Sequence, residues 1–184
     1  MSKTQATFEM LASPPNWYEV AKQLRDQAEA LRSRDTSLMI FTDSKGQRTT
    51  RSYYNRGVFL MAGFSLENII KAFLIYEHPQ HIKHGHLAKD IRTHNLGKLW
   101  AMSSHVPYKN RFAGTVELLA DGLETWARYP CGLSHDRAIY EHPMTPKLWG
   151  SYLSLFAACS KWLESLLSKG WSDVNGEKHY MQYL

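Results

Sequence analysis

Apolar positions fall into two kinds of pattern along this chain. Trp17, Val20, Ala21, Leu24, Ala28 and Leu31 recur at spacings of three and four, which marks one face of a helix. Asn16, with Glu19 three residues later, has the form of a capping box, so this helix is expected over 16–33. Phe112, Val116, Leu119, Leu123 and Trp126 repeat the spacing and stop at Arg128-Tyr129-Pro130. Trp149, Leu153, Phe156, Ser160, Leu163 and Leu167 form a third stripe, opened by Thr145-Pro146 and closed by Gly170. The stretch from Val58 to Tyr76 is different. It is apolar almost all round, which predicts a helix surrounded by the others. Gly57 and Gly63 lie at its start and within it, each at a cost of about 1 kcal/mol in helix propensity. Each therefore predicts a close neighbour.

The segments between these helices carry turn chemistry. Residues 34–51 break the helical period; Ser37–Thr42 reads as extended and Asp43-Ser44-Lys45-Gly46 as a turn, so a small hairpin is expected there. Thr93 is placed to cap a short helix carrying Leu96, Leu99 and Trp100, which Pro107 ends. Residues 1–15 read as an irregular start, and 171–184 as a tail without a period. The resulting expectation is an all-α, up-and-down bundle of about five helices over 16–170.

Composition sharpens this picture in two ways. The chain has 184 residues, 43% of them hydrophobic, enough for one domain with a core and too many for disorder throughout. The N-terminus has no apolar stretch of signal-peptide length, and no uncharged apolar run approaches the roughly 20 residues of a membrane span. A cytoplasmic protein, off the membrane, is expected. A net charge of +5 leans toward an anionic partner such as RNA, DNA or a nucleotide, although no Lys/Arg run exceeds two residues.

Chemistry is harder to place. There is no GxSxG, Walker loop, GxGxxG or HExxH. His78, His81, His84 and His86 sit within nine residues, but their spacing fits no zinc pattern and no cysteine or carboxylate pair accompanies them. A polar connection is the better reading, with neither a metal nor another cofactor expected. Cys131 follows a proline and lacks an orienting motif for a nucleophile, and the two cysteines, Cys131 and Cys159, suggest no disulfide framework. On the central helix, Arg56, Gly63, Glu67 and Lys71 fall at steps of seven, four and four. This line reads either as a solvated stripe with one modest i, i+4 ion pair or as a face turned to a cleft and meeting Arg128. His94 opens the short helix, where it can cap or bond across the bundle. Arg56, Glu67, Lys71, His94 and Tyr129 are the candidate binding residues, and Arg128 with His135 the candidate catalytic pair.

Several of these segments, in order, resemble the HEPN superfamily of helical-bundle proteins. Gly63-Phe64-Ser65-Leu66-Glu67-Asn68-Ile69-Ile70-Lys71-Ala72-Phe73-Leu74 is similar to its central helix. His94-Asn95-Leu96-Gly97-Lys98-Leu99 is similar to its His-x-Leu-x-x-Leu helix start, and Trp126-Ala127-Arg128-Tyr129-Pro130 precedes a closing amphipathic helix. The resemblance covers about residues 53–168. It implies pairing of two chains as a homodimer. In active members it also implies a metal-independent endoribonuclease site made of an arginine, four to six residues, and a histidine. Arginine can grip a phosphate bidentately, and a histidine near neutral pH can move the proton of a ribose hydroxyl. Arg128 and His135 have that spacing. Active members, however, carry a polar residue after the arginine, whereas here Tyr129-Pro130 disfavours continued helix. The expectation is therefore a non-catalytic binding and dimerisation protein for an anionic nucleic-acid or nucleotide ligand. The alternative is a ribonuclease of the toxin or defence type that uses Arg128 and His135.

Overall fold

Helix α3 (Asn55–Glu77) is the element around which the others are arranged. The computed structural model describes residues 3–34, 38–130 and 141–181. Within them the order is α1 (Lys3–Leu11), α2 (Pro14–Ser33), β1 (Leu38–Thr42), β2 (Arg48–Ser52) and α3. A 3-10 turn (Pro79–His81), β3 (Ile82–Lys83), β4 (His86–Leu87), α4 (Leu96–Met102) and α5 (Lys109–Glu124) follow, then α6 (Pro146–Lys169), β5 (Trp171–Ser172) and β6 (Lys178–His179). The molecule is mainly helical, with six α-helices among the described residues rather than about five. The strands form three separate two-stranded antiparallel pairs: β1–β2, β3–β4 and β5–β6.

The all-round apolar pattern of α3 has the consequence expected of it. Helices α2, α4, α5 and α6 all pack against it, and Val58, Phe59, Leu66, Ile69, Ile70 and Phe73 are fully buried. Burying each such side chain contributes roughly 1.5–3 kcal/mol. The helix is long and apolar enough to cross a membrane, yet 83% of its most apolar stretch is covered by the rest of the protein. The glycines mark close approaches. A Cβ at Gly63 would lie 3.2 Å from Cβ of Leu123 on α5, and one at Gly57 would lie 3.3 Å from Cδ1 of Leu31 on α2. Helix α6 docks through a buried hydroxyl pair: Ser65 Oγ donates to the Ala62 carbonyl, so Tyr152, with its oxygen 2.7 Å from Ser65 Oγ, donates to it.

Some helix boundaries differ from the sequence reading. Residues 3–11, expected to be irregular, form α1. Helix α2 begins at Pro14 with Ser13 as its N-cap, because Pro14-Pro15 suit the first helical positions, where no N–H is needed. Asn16 is therefore no cap; its Nδ2 donates to the Met10 carbonyl (2.9 Å) and to Ser13 Oγ (3.1 Å), tying α1 to α2. Asn95, not Thr93, caps α4 by accepting from the Lys98 N–H, while Thr93 Oγ1 accepts from the Asn95 N–H. Thr145 caps α6 as expected, accepting from the Leu148 N–H.

Two hairpins share one turn design. In β1–β2, Asp43 Oδ1 accepts from the Lys45 and Gln47 amides, each at 2.8 Å, and Gly46 takes φ 80°. In β5–β6, Asp173 Oδ1 accepts from Asn175 (2.8 Å) and Glu177 (2.9 Å), and Gly176 takes φ 82°. The tail, which shows no period in the sequence, thus contains a hairpin. Hairpin β1–β2 stands away from the core with Leu38, Ile40 and Phe41 exposed.

Candidate functional site

The polar line on α3 is not a solvated stripe. Glu67 and Lys71 are buried, with side chains 4% and 6% exposed, and Lys71 Nζ lies 2.8 Å from Glu67 Oε1. The Lys71 ammonium also sits 5.3 Å from the centre of the Trp17 ring on α2, a cation–π contact. His94, just before α4, brings Nδ1 to within 3.1 Å and 3.0 Å of the two Glu67 oxygens. The pair lies inside because Trp17 of α2 and His94 before α4 cover this face of α3. The ion pair, the histidine and the indole form one assembly that joins α2, α3 and the start of α4.

Arg56, at the start of the same line, has a different task. Its Nη1 donates to the Tyr129 carbonyl at 2.8 Å and its Nε to Glu141 Oε2 at 3.2 Å. Neighbouring Asn55 is buried. Its Nδ2 donates to Glu141 Oε1 and the His142 carbonyl, and its Oδ1 accepts from the Met144 N–H. Arg51 on β2 reaches Glu141 at 3.6 Å. The first turn of α3 thus holds the chain on both sides of residues 131–140.

Arg128 lies beyond α5, not on it. The helix stops at Glu124, four residues before the arginine. A turn then carries the Ala127, Arg128 and Tyr129 amides back to the carbonyls of Gly122 and Thr125. Trp126 remains buried on this turn, its Nε1 donating to Asp121 Oδ2 at 3.0 Å and its ring edge-on to Phe59. Arg128 does not pair with Glu67; its guanidinium lies 5.3 Å from the centre of the Phe64 ring. One of its nitrogens, Nη2, is buried without a hydrogen-bond partner among the described residues. The His94 ring meets the same Phe64 ring edge-on at 5.8 Å.

The structure therefore brings Arg128 and His94 together on Phe64, with Glu67 and Lys71 beneath. It commits Arg56 to the Tyr129 carbonyl and Glu141, and it leaves the Tyr129 side chain at the surface. His135 and Cys131 lie outside the described residues. Phe64 belongs to the stretch expected to be buried all round; it is only half-buried, and its place one turn before Glu67 is the only local sign of its contact with Arg128. Asn55 and Glu141 gave no sign, since they meet across 86 residues.

The histidine-rich connection does not converge on a point. His81 is buried beside Asp90, Nδ1 to Oδ1 3.5 Å, and burial holds its imidazole below the ordinary value despite that carboxylate. His84 sits at the β3–β4 turn with φ 52°. Among the described residues, the side chains close enough to share an ion are Asp173, Glu177 and His179, with ligand atoms within 4.8 Å of one another. Burial acts to raise the Asp173 carboxyl, but hydrogen bonds from His179 and from the Glu177 and Asn175 amides outweigh it and hold the group low.

Comparison of the chain with protein-family models, curated proteins and solved structures returns no match.

Proposed function

We propose that this chain is a HEPN-like, non-catalytic binding protein that acts as a homodimer and takes an anionic ligand, a nucleic acid or nucleotide, at Arg128, Phe64 and His94. The observation that carries the reading is the Arg128 guanidinium: it lies against Phe64 with a buried Nη2 that has no partner among the described residues. A buried donor left unpaired costs about 1–3 kcal/mol, which a phosphate oxygen would recover through a charge-assisted bond. Phe64 and the imidazole of His94 offer ring surfaces beside it for a base. His94 Nδ1 is held by Glu67, which fixes the ring while leaving the side chain 58% exposed. The net charge of +5 supports the same sign of ligand.

The test is fluorescence anisotropy with a mixed single-stranded RNA pool and with labelled nucleotides, in chelator. Arg128→Ala should weaken binding by about tenfold or more, since a charged hydrogen bond contributes roughly 1.5–3 kcal/mol. It should also lower the slope of affinity against salt by about one. Arg128→Lys should rescue only part of the loss, because an ammonium lacks the planar fork. Equal binding by wild type and Arg128→Ala, both folded, would refute the site. RNA cleavage in chelator that disappears in His135→Ala would replace this reading with the ribonuclease alternative.

A further inference from the structure

A cavity of about 410 Å³ opens at the C-terminal end of α3, away from Arg128 in sequence and in chemistry. Its walls come from α1, the end of α3, the 3-10 turn that follows and hairpin β5–β6. Ile75, Pro79 and Ile82 give it an apolar floor. Every fully charged side chain on its lining is a carboxylate: Glu9, Asp173 and Glu177, with no lysine or arginine. That is notable in a chain of net charge +5. The fourth titratable group, His179, directs Nε2 to Asp173 Oδ2 at 3.2 Å and stacks on Trp171 at 5.5 Å.

The three carboxylates have different duties. Asp173 builds the turn, as Asp43 does in the other hairpin, and its two oxygens are occupied by the Asn175 and Glu177 amides and by His179. Glu9 accepts from Gln5 Nε2 on Oε1 at 2.8 Å, but its Oε2 is buried and has no hydrogen-bond partner among the described residues. Glu177 meets the turn through its backbone, its amide donating to Asp173 Oδ1 and its carbonyl accepting from the Asp173 amide, which leaves its carboxylate available. Carboxylates on a cavity wall call for a cation, and a concave apolar floor calls for hydrocarbon.

We infer that this cavity binds an organic cation, an ammonium or guanidinium carried on an apolar body, with its charge between Glu9 and Glu177 and its body on Ile75, Pro79 and Ile82. The cation can be a free amine or the side chain of a lysine or arginine on a partner protein. A lone divalent ion fits less well. The volume far exceeds one ion, and in the Asp173, Glu177 and His179 group Oδ1 of Asp173 is already taken by two turn amides and Oδ2 by His179.

The experiment uses the full chain and isothermal titration with hexylamine, together with its neutral and anionic counterparts, hexanol and hexanoate. Hexylammonium should bind with a Kd of about 1 mM or tighter, within what so small a ligand can supply, and the other two should not. Glu9→Gln and, separately, Glu177→Gln should each weaken it about tenfold, the effect of one lost charge-assisted bond. Both variants should keep the wild-type melting temperature, and Arg128→Ala should bind hexylamine as the wild type does. A capped lysine peptide run in parallel separates the two sources. Tighter binding of the peptide assigns the cavity to a partner's side chain, and tighter binding of the amine assigns it to a free metabolite. Failure of both cations to bind, or equal binding of hexanol, would overturn the inference. So would zinc binding that is lost in His179→Ala while the amines do not bind. None of these outcomes bears on RNA binding at Arg128.

Discussion

Removing the positive partner of the buried ion pair should be one of the most damaging single changes to this fold. At 2.8 Å the attraction between Lys71 and Glu67 is about 6 kcal/mol at an effective dielectric constant of roughly 20. Desolvation of two ions offsets most of that, so the intact pair adds little net stability. Lys71→Met keeps the hydrocarbon stem and its packing, and removes only the charge and its cation–π contact with Trp17. Glu67 would then remain inside the protein with His94 as its remaining hydrogen-bond partner. Stranding one member of a buried pair costs roughly 3–5 kcal/mol, and the histidine should keep this case near the lower end. The double variant Glu67→Leu, Lys71→Met leaves no ion behind. It should lie between wild-type stability and a gain of about 1–4 kcal/mol. Urea denaturation followed by far-ultraviolet circular dichroism measures both. A Lys71→Met loss under about 1 kcal/mol, or a double variant as unstable as the sum of the single ones, would refute the reasoning.

Gly122→Ala would place a Cβ 2.7 Å from Phe59 and 3.2 Å from Trp126, both held in the core, and should destabilise by about 1–3 kcal/mol; Gly114→Ala, with open space around it, should stabilise by up to about 1 kcal/mol. The two changes have opposite signs in the same thermal melt. Glu77 anchors the turn after α4 by accepting from Ser103 Oγ and from the Ser104 and His105 amides. Burial acts to raise its carboxyl, yet these bonds and His105 outweigh it and hold the group below its ordinary 4.5. A depressed folded value means that its stabilisation is complete above about 4.5 and lost as pH falls through the lower, folded value. Glu77→Gln should therefore cost about 2 kcal/mol near neutrality, and the gap from wild type should close in acid. A gap that widens in acid would contradict the assignment in a pH series of denaturation curves.

The parts of the fold that were legible are those written in local pattern. Helix α3 announced its central place because apolar residues cover its whole circumference, and a helix of that kind can only be surrounded. Gly63 announced a close neighbour, and Asp43 with Gly46 announced a hairpin, because few residues do those jobs. Helix α1 was missed because Lys3–Leu11 buries no residue completely and shows no strong face. Its closing turn is held from outside, with Trp17 Nε1 donating to the Ala12 carbonyl at 3.0 Å. The depth of the Glu67–Lys71 pair was equally hidden. An i, i+4 pair looks the same in water and in a core, and only the arrival of Trp17 and His94 from distant segments decides which it is. Arg128 on Phe64 is also long-range, spanning α3 and the turn after α5. The sequence could offer the arginine as a candidate but not its neighbour.

Arg56 holds the chain where it leaves at Tyr129 and where it returns at Glu141, so one guanidinium joins the two ends of an eleven-residue interval. The clasp sets where the interval begins and where it ends, and does so from the first turn of α3. His135 lies in that interval, whereas Arg128 lies on the bundle side of the clasp. The placing of both ends thus shares one side chain of α3, and a single mutation there would loosen them together.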